Sequence, residues 1–241
     1  MSEATENALI RDETPVYDPD ARNRFEYVVH ENGQQFDTAQ VFEPLSDDRY
    51  LQWLNEFRIR GNESHVDEQS SEASLKLSRE LVCEIGNIEV PEGYDWRDLP
   101  SYKERIDILN QFLAVAAFDV DDEAPSGGKR TPHAERTQTV LTEAWFNGQI
   151  LQQRHVMREK NLELEKKYAR IQGKRFKPET TRGLRGKPKI EFVPQDRKIG
   201  EMYDEMQVSA SGFAGDFIPL RFKTAVIHHI FAAKFEAAEK K

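Results

Sequence analysis

The chain has 241 residues, room for one large domain or two small ones. It is polar, 38% apolar and 32% charged, yet its 14 Phe, 7 Tyr and 3 Trp can anchor a core, which excludes a wholly disordered chain. The single Cys83 rules out an intrachain disulfide and a multi-Cys zinc site, no apolar run approaches the ~18 residues of a membrane span, and the acidic residues 1–20 lack a secretory leader pattern. An intracellular, cytoplasmic setting is expected. Charge is uneven: net −17 over residues 1–150, +9 over 151–199 and −1 over 200–241. Such asymmetry bears on partners rather than on fold.

Residues 1–22 are acidic and broken by Pro15 and Pro19, and read as a mobile tail. Phe25 to Val29 is β-rich. Asn32-Gly33 is a hairpin signal because both central residues of the tight turn need positive φ. The return strand runs to Phe42, and Pro44 stops it. Ser46 caps a helix with Asp47 and Asp48 in its first turn, where the dipole favours acids. Tyr50, Leu51, Trp53, Leu54 and Phe57 give that helix an apolar face. Leu75, Leu77, Leu81, Val82 and Ile85 predict a second helix, with Cys83 on it as a buried structural thiol. Ser101 begins a third, with Tyr102, Ile106, Leu109, Leu113 and Ala116 at helical spacing.

Residues 119–135 concentrate Asp, Gly, Ser and Pro, as a linker does. The order of elements then restarts. Val140 to Phe146 is a strand, Asn147-Gly148 a second hairpin turn, and Ile150 to Met157 the return strand. A charged helix follows from Glu159 to Ile171. Residues 174–189 are basic and aperiodic, and read as a loop. A helix near Ile199, Met202, Tyr203 and Met206 comes next. Gly212 and Pro219 precede the last helix, with Phe222, Val226 and Ile230.

Four ordered matches point to a tandem duplication. Asn32-Gly33-Gln34 matches Asn147-Gly148-Gln149, and Arg58-Ile59-Arg60-Gly61 matches Arg170-Ile171-Gln172-Gly173. Gly93 with Pro100 matches Gly212 with Pro219, and Tyr102-Lys103 matches Phe222-Lys223. The expected fold is α+β, mostly helical, with two related lobes at 23–118 and 138–236. Each is a β-hairpin followed by about three helices. A linker at 119–137 joins them, and 237–241 form a tail.

No catalytic, metal or cofactor signature emerges. Ser126 to Thr131 resembles a phosphate loop but lacks its first glycine and a feeding strand. His133-Ala134-Glu135 has the start of a zinc-deaminase motif without the later cysteines. Asp119, Asp121, Asp122 and Glu123 lack the spacing of a calcium loop. His228-His229 has no ligand spacing; one ring is expected at the core edge and one in solvent. The informative cluster is the basic stretch: Lys174, Arg175, Lys177, Arg182, Arg185, Lys187 and Lys189, opposed only by Glu179. These are the candidate partner-binding residues. They suit an acidic protein surface or, alternatively, nucleic-acid phosphates.

Residues 25–57 run hairpin, Pro44-Leu45-Ser46, acidic cap, helix. This order resembles the start of tail assembly chaperones and related accessory proteins of tailed bacteriophages. The resemblance implies a non-enzymatic, protein-binding assembly factor of the host cytoplasm, and assigns no functional residue.

Overall fold

The structure is a computed structural model that describes residues 15–31, 33–57, 66–98, 101–120, 136–173, 176–179, 189–192 and 194–232. In chain order these residues form β1 (Asn23–Glu31), β2 (Gln34–Phe42), α1 (Asp47–Phe57), α2 (Val66–Leu81), β3 (Val82–Gly86), α3 (Tyr102–Leu113) and β4 (Ala116–Asp119). There follow β5 (Thr137–Phe146), β6 (Gln149–Arg158), α4 (Leu162–Gly173), β7 (Phe176–Glu179), β8 (Lys189–Phe192), α5 (Asp196–Met206), β9 (Gln207–Ser211) and α6 (Leu220–Ala232). The strands make three antiparallel sheets, ordered β1-β2-β3, β4-β5-β6-β9 and β7-β8.

The protein is therefore mixed α and β, not mostly helical. The expectation misses strands at the helix ends. Val82 to Ile85, expected as the end of a helix, lie on β3; Ala116–Asp119 is β4; Gln207–Ser211 is β9. At Leu81 and Met206 the helix runs straight into the strand with no Gly or Pro to mark the switch. The edges of β2 and β6 set it, because their outward N–H and C=O groups need partners. Cys83 accordingly lies on a strand, half-buried, its Sγ 3.3 Å from the Val41 carbonyl oxygen.

The arrangement of elements recurs. In each half a hairpin leads to a helix, then to a second helix that feeds a third strand, then to a helix. β3 pairs with β2 as β9 pairs with β6, and both pairings slip by one residue, at Val41/Phe42 and at Val156/Met157. Phe42 and Met157 hold the same place and are both fully buried. Ser46 caps α1 through the Arg49 N–H as Asn161 caps α4 through the Leu164 N–H. Leu77, Ser78 and Leu81 on α2 correspond to Met202, Tyr203 and Met206 on α5, and all six are buried. Gly212, φ 91°, follows β9 directly. Its counterpart is Asn87, φ 59°, directly after β3, and not Gly93, which sits in a later turn.

Each half has its own core. Phe25, Phe42 and Phe112 meet in the first, with centroids 5.2–5.9 Å apart, and Trp53, Leu77 and Leu109 surround them. Ile199, Met202, Tyr203, Met206, Phe222 and Ile227 fill the second. Tyr17 joins that second core, 2% exposed, with its ring 4.8 Å from Phe222 and 5.1 Å from Phe146. Its N–H donates to the Gly212 carbonyl and its own carbonyl accepts from the Ala214 N–H. Residues 15–22 are thus not a trailing tail: one buried aromatic outweighs their acidic composition.

The halves are joined by exchange. β4 leaves α3 of the first half and adds to β5 of the second. Trp145 of β5 packs into the first core, stacked on Phe25, and its Nε1 donates to the Arg24 carbonyl. Asn23 and Asn147 bond across the junction, and Asp47 on α1 accepts from the Leu220 N–H at the start of α6. The Arg221 guanidinium lies 4.8 Å over the Phe112 ring and donates to the Tyr17 hydroxyl.

Several expectations fall outside the described residues: the tail 1–14, the linker 121–135 with its phosphate-loop and His133 motifs, Asn32, Arg58 to Gly61, Pro100 and the 237–241 tail.

Gly148 and Gly212 differ in what surrounds them. Around Gly148, φ 86°, a Cβ would meet nothing; at Gly212 it would lie 2.7 Å from Gln152 O and 3.0 Å from Gln153 Cα. Gly148→Ala should lose about 1–2 kcal/mol, the cost of left-handed backbone. Gly212→Ala should lose ~1–3 kcal/mol more from the clash with β6. Urea unfolding of the two variants measures the difference; equal losses contradict the geometry.

Candidate functional site

The basic stretch is not wholly a loop. β7 and β8 pair as Phe176↔Phe192, Lys177↔Glu191, Pro178↔Ile190 and Glu179↔Lys189. The hairpin joins neither larger sheet. Of the seven candidate residues, Lys177 stands on β7 and Lys189 on β8; Lys174, Arg175, Arg182, Arg185 and Lys187 lie outside the described residues. The alternation Lys189-Ile190-Glu191-Phe192 signals the returning strand, but most of it lies beyond the predicted end of the loop. In the repeat, the hairpin occupies the link between α4 and α5. The first half makes the corresponding α1-to-α2 link with residues 58–65 alone.

Between α4 and α5 lies an open groove of about 160 Å³ lined by Lys167, Arg170, Ile171, Lys198 and Glu201. Three of the five lining side chains are cations. Lys167 also pairs with Glu205. A second open groove, about 380 Å³, runs between α1 and α5 beside Pro194 and Gln195, and Arg197 there bonds Asp48 at 2.7 Å. Sequence reasoning missed Lys167, Arg170 and Lys198. Lys167 and Arg170 are three apart on one helix, a face that could be read in advance; Lys198 reaches them only through packing.

The most organised polar cluster lies inside the second half. Thr142, Gln153 and His155 are fully buried with Tyr203. Thr142 Oγ1 donates to Gln153 Oε1 at 3.0 Å and lies 2.9 Å from His155 Nε2; His155 Nδ1 lies 2.6 Å from the Tyr203 hydroxyl. One proton arrangement satisfies all three contacts: neutral imidazole with Nε2–H donating to Thr142 and Tyr203 O–H donating to Nδ1. Burial pushes the His155 pKa down to about 4 and the Tyr203 pKa up. The cluster is closed on itself, so it specifies packing and offers no proton to a substrate.

Its counterparts in the first half are Tyr27, Thr38, Gln40 and Ser78. The tyrosine comes from the sheet there and from the helix in the second half. Thr38 Oγ1 donates to the Tyr27 carbonyl. The Tyr27 hydroxyl, both Gln40 amide atoms and Ser78 Oγ are buried with no hydrogen-bond partner among the described residues.

The two histidines of α6 and Cys83 are engaged as well. His228 Nδ1 lies 2.8 Å from the Tyr168 hydroxyl and His229 Nε2 lies 2.9 Å from Asp119, so each ring has a polar partner. Burial and neighbouring Glu43 raise the Cys83 pKa, the opposite of what an attacking thiolate needs. Among the described residues no three His, Cys, Asp or Glu side chains gather as metal ligands. No described helix is long and apolar enough to cross a membrane.

The His155 cluster predicts a pH dependence. Unfolded histidine titrates near 6.5 and the folded one near 4, so stability is full above pH 6.5 and falls as pH drops towards 4. The loss amounts to about 3 kcal/mol. Urea unfolding from pH 7.5 to 4 should show this slope in the parent and lack it in His155→Gln; parallel curves would contradict it. No protein-family model matches the chain, and no curated protein or solved structure matches it significantly.

Proposed function

We propose that the chain is a non-enzymatic, protein-binding assembly factor, and that the basic hairpin between α4 and α5 docks on an acidic surface of its partner. The carrying observation is that this hairpin is added to one unit of a repeated fold. It stands outside both larger sheets, and residues 174–189 supply seven cations against one carboxylate. An addition that joins neither larger sheet suits a contact surface. The helices that flank the hairpin in sequence add Lys167, Arg170 and Lys198 in one groove, and seven clustered charges act on a partner across about a Debye length, ~8 Å at physiological salt. The likeness of residues 25–57 to phage tail assembly chaperones favours a host-cytoplasmic helper in tail assembly as the setting.

The test reverses Lys174, Arg175, Arg182 and Arg185 to Glu. Far-UV circular dichroism should be unchanged. Capture of proteins from nuclease-treated lysate of the source cells should lose the partner at least tenfold. Binding that instead needs nucleic acid and falls steeply with salt assigns the hairpin to phosphate contact. Equal capture by both proteins removes the hairpin from the interface.

A further inference from the structure

We propose that α2 is a lid: it lifts off the β1-β2-β3 sheet in an opening of its own while the second half stays closed. Ion pairs hold the lid shut from outside, and buried polar atoms without partners among the described residues unsettle it from inside. The proposal stands apart from the basic hairpin and its partner.

The inner face of α2 is small and partly polar. Its buried side chains are Ala73, Ser74, Leu77, Ser78 and Leu81. Since Ser78 corresponds to Tyr203, Ser74 and Ser78 stand where α5 has Ile199 and Tyr203, both fully buried. Tyr203 ties α5 to its sheet through the 2.6 Å contact with His155. Gln40 holds the place of His155 on β2 and is fully buried, yet its amide and the Ser78 hydroxyl have no hydrogen bond among the described residues. Leu77 and Leu81 are left as the main apolar anchors of α2 in the first core.

The unpaired atoms share one layer. Register sets Tyr27 opposite Thr38 and Phe25 opposite Gln40, so the four lie on one face of the sheet, and Phe25 belongs to the core that Leu77 enters. That layer holds both Gln40 amide atoms, Ser78 Oγ and the Tyr27 hydroxyl, each closed to solvent and without a hydrogen bond among the described residues. A buried polar atom with no partner has given up water and gained nothing in return. These atoms regain water when α2 lifts, and the core of the second half need not open for that. Local opening thus recovers their hydration at far less loss of packing than unfolding.

The outer side of α2 carries the latch. Lys76 pairs with Glu56 of α1 at 3.3 Å, and Glu80 with Arg49 of α1 at 2.6 Å. Arg79 pairs with Asp95 at 2.7 Å and with Asp98 at 3.1 Å, in the stretch between β3 and α3. Solvent-facing pairs of this kind fix geometry and add little stability each. β3 need not leave with the helix. Its own ladder holds it to β2, and Cys83 Sγ lies 3.3 Å from the Val41 carbonyl oxygen. The hinge is therefore the junction of α2 with β3, at Leu81-Val82.

Native-state hydrogen exchange of the full chain in low urea tests this. The Leu77, Ser78 and Leu81 amides should exchange through an opening about a hundredfold more populated than global unfolding, with a urea slope well below the global one. The Met202, Tyr203 and Met206 amides should exchange about tenfold more slowly or less, with the larger slope. Equal protection and equal slopes in the two helices overturn the proposal, and this comparison needs no variant. Gln40→Met with Ser78→Ala removes the unpaired amide and hydroxyl, and should slow exchange in α2 about tenfold. Unchanged or faster exchange there means that those atoms are satisfied in the closed state, and also overturns the proposal. Glu80→Gln weakens the pair with Arg49 and should speed exchange in α2 about threefold. Exchange left unchanged by it means that ion pairs do not hold the lid, which contradicts the proposal.

Discussion

Strand β4 does not stay with the half that precedes it, and the rest of the molecule depends on that. It leaves α3 and completes the sheet of the second half, so neither core is closed by one continuous stretch of chain. The first core takes Trp145 from the second half; the second takes Tyr17 from the chain ahead of β1. Buried aromatics supply much of the attraction in such junctions. The bonds of Asn23, Asn147 and Asp47 fix the relative placement of the halves, because each would leave a part-buried polar group unpaired if the halves slid.

The two units share a frame and differ in how polar groups are placed within it. In one, a helix tyrosine, a histidine, a threonine and a glutamine close a hydrogen-bonded chain between the helices and the sheet. In the other, the tyrosine has moved to the sheet, and Gln40 and Ser78 take the places of His155 and Tyr203. Exchange of large and small residues across facing positions keeps the interlayer volume, which cores tolerate well. It does not keep the hydrogen bonds, and the first unit is left with buried atoms that lack partners among the described residues. One of those atoms, the Tyr27 hydroxyl, belongs to β1, the strand whose outer edge no described strand covers.

Much of the frame was legible because it rests on local chemistry. Asn147-Gly148 has to be a tight turn, with φ 47° and 86°. Ser101 caps α3 with Glu104 reaching back, a pair of bonds visible as Ser-x-x-Glu. The short strands were not legible, because Leu81-Val82 and Met206-Gln207 carry no stop and the edges of β2 and β6 decide their conformation. Tyr17 was hidden for the same kind of reason: nothing near it in sequence says that Phe146 and Phe222 will surround it. The Gly93 and Gly212 match failed because a shared turn residue is weaker evidence than a shared strand end; Asn87, able to adopt positive φ, holds the true counterpart position. The basic stretch was found by charge, but its hairpin form needed Ile190 and Phe192, beyond the window that charge defines.

Strand exchange also gives the proposed function its physical setting. A unit that completes its neighbour is suited to holding chains together, and a charged hairpin added to one unit gives a surface for a different partner. The central claim, that the second half is completed by the first, can be tested by cutting the connection between them. A specific protease site inserted between Gly127 and Gly128 leaves β4 on one fragment and β5 on the other. After cleavage without denaturant, size-exclusion chromatography with light scattering should find the two fragments as one particle of the uncut mass. Fragments that separate and keep their secondary structure would contradict the account.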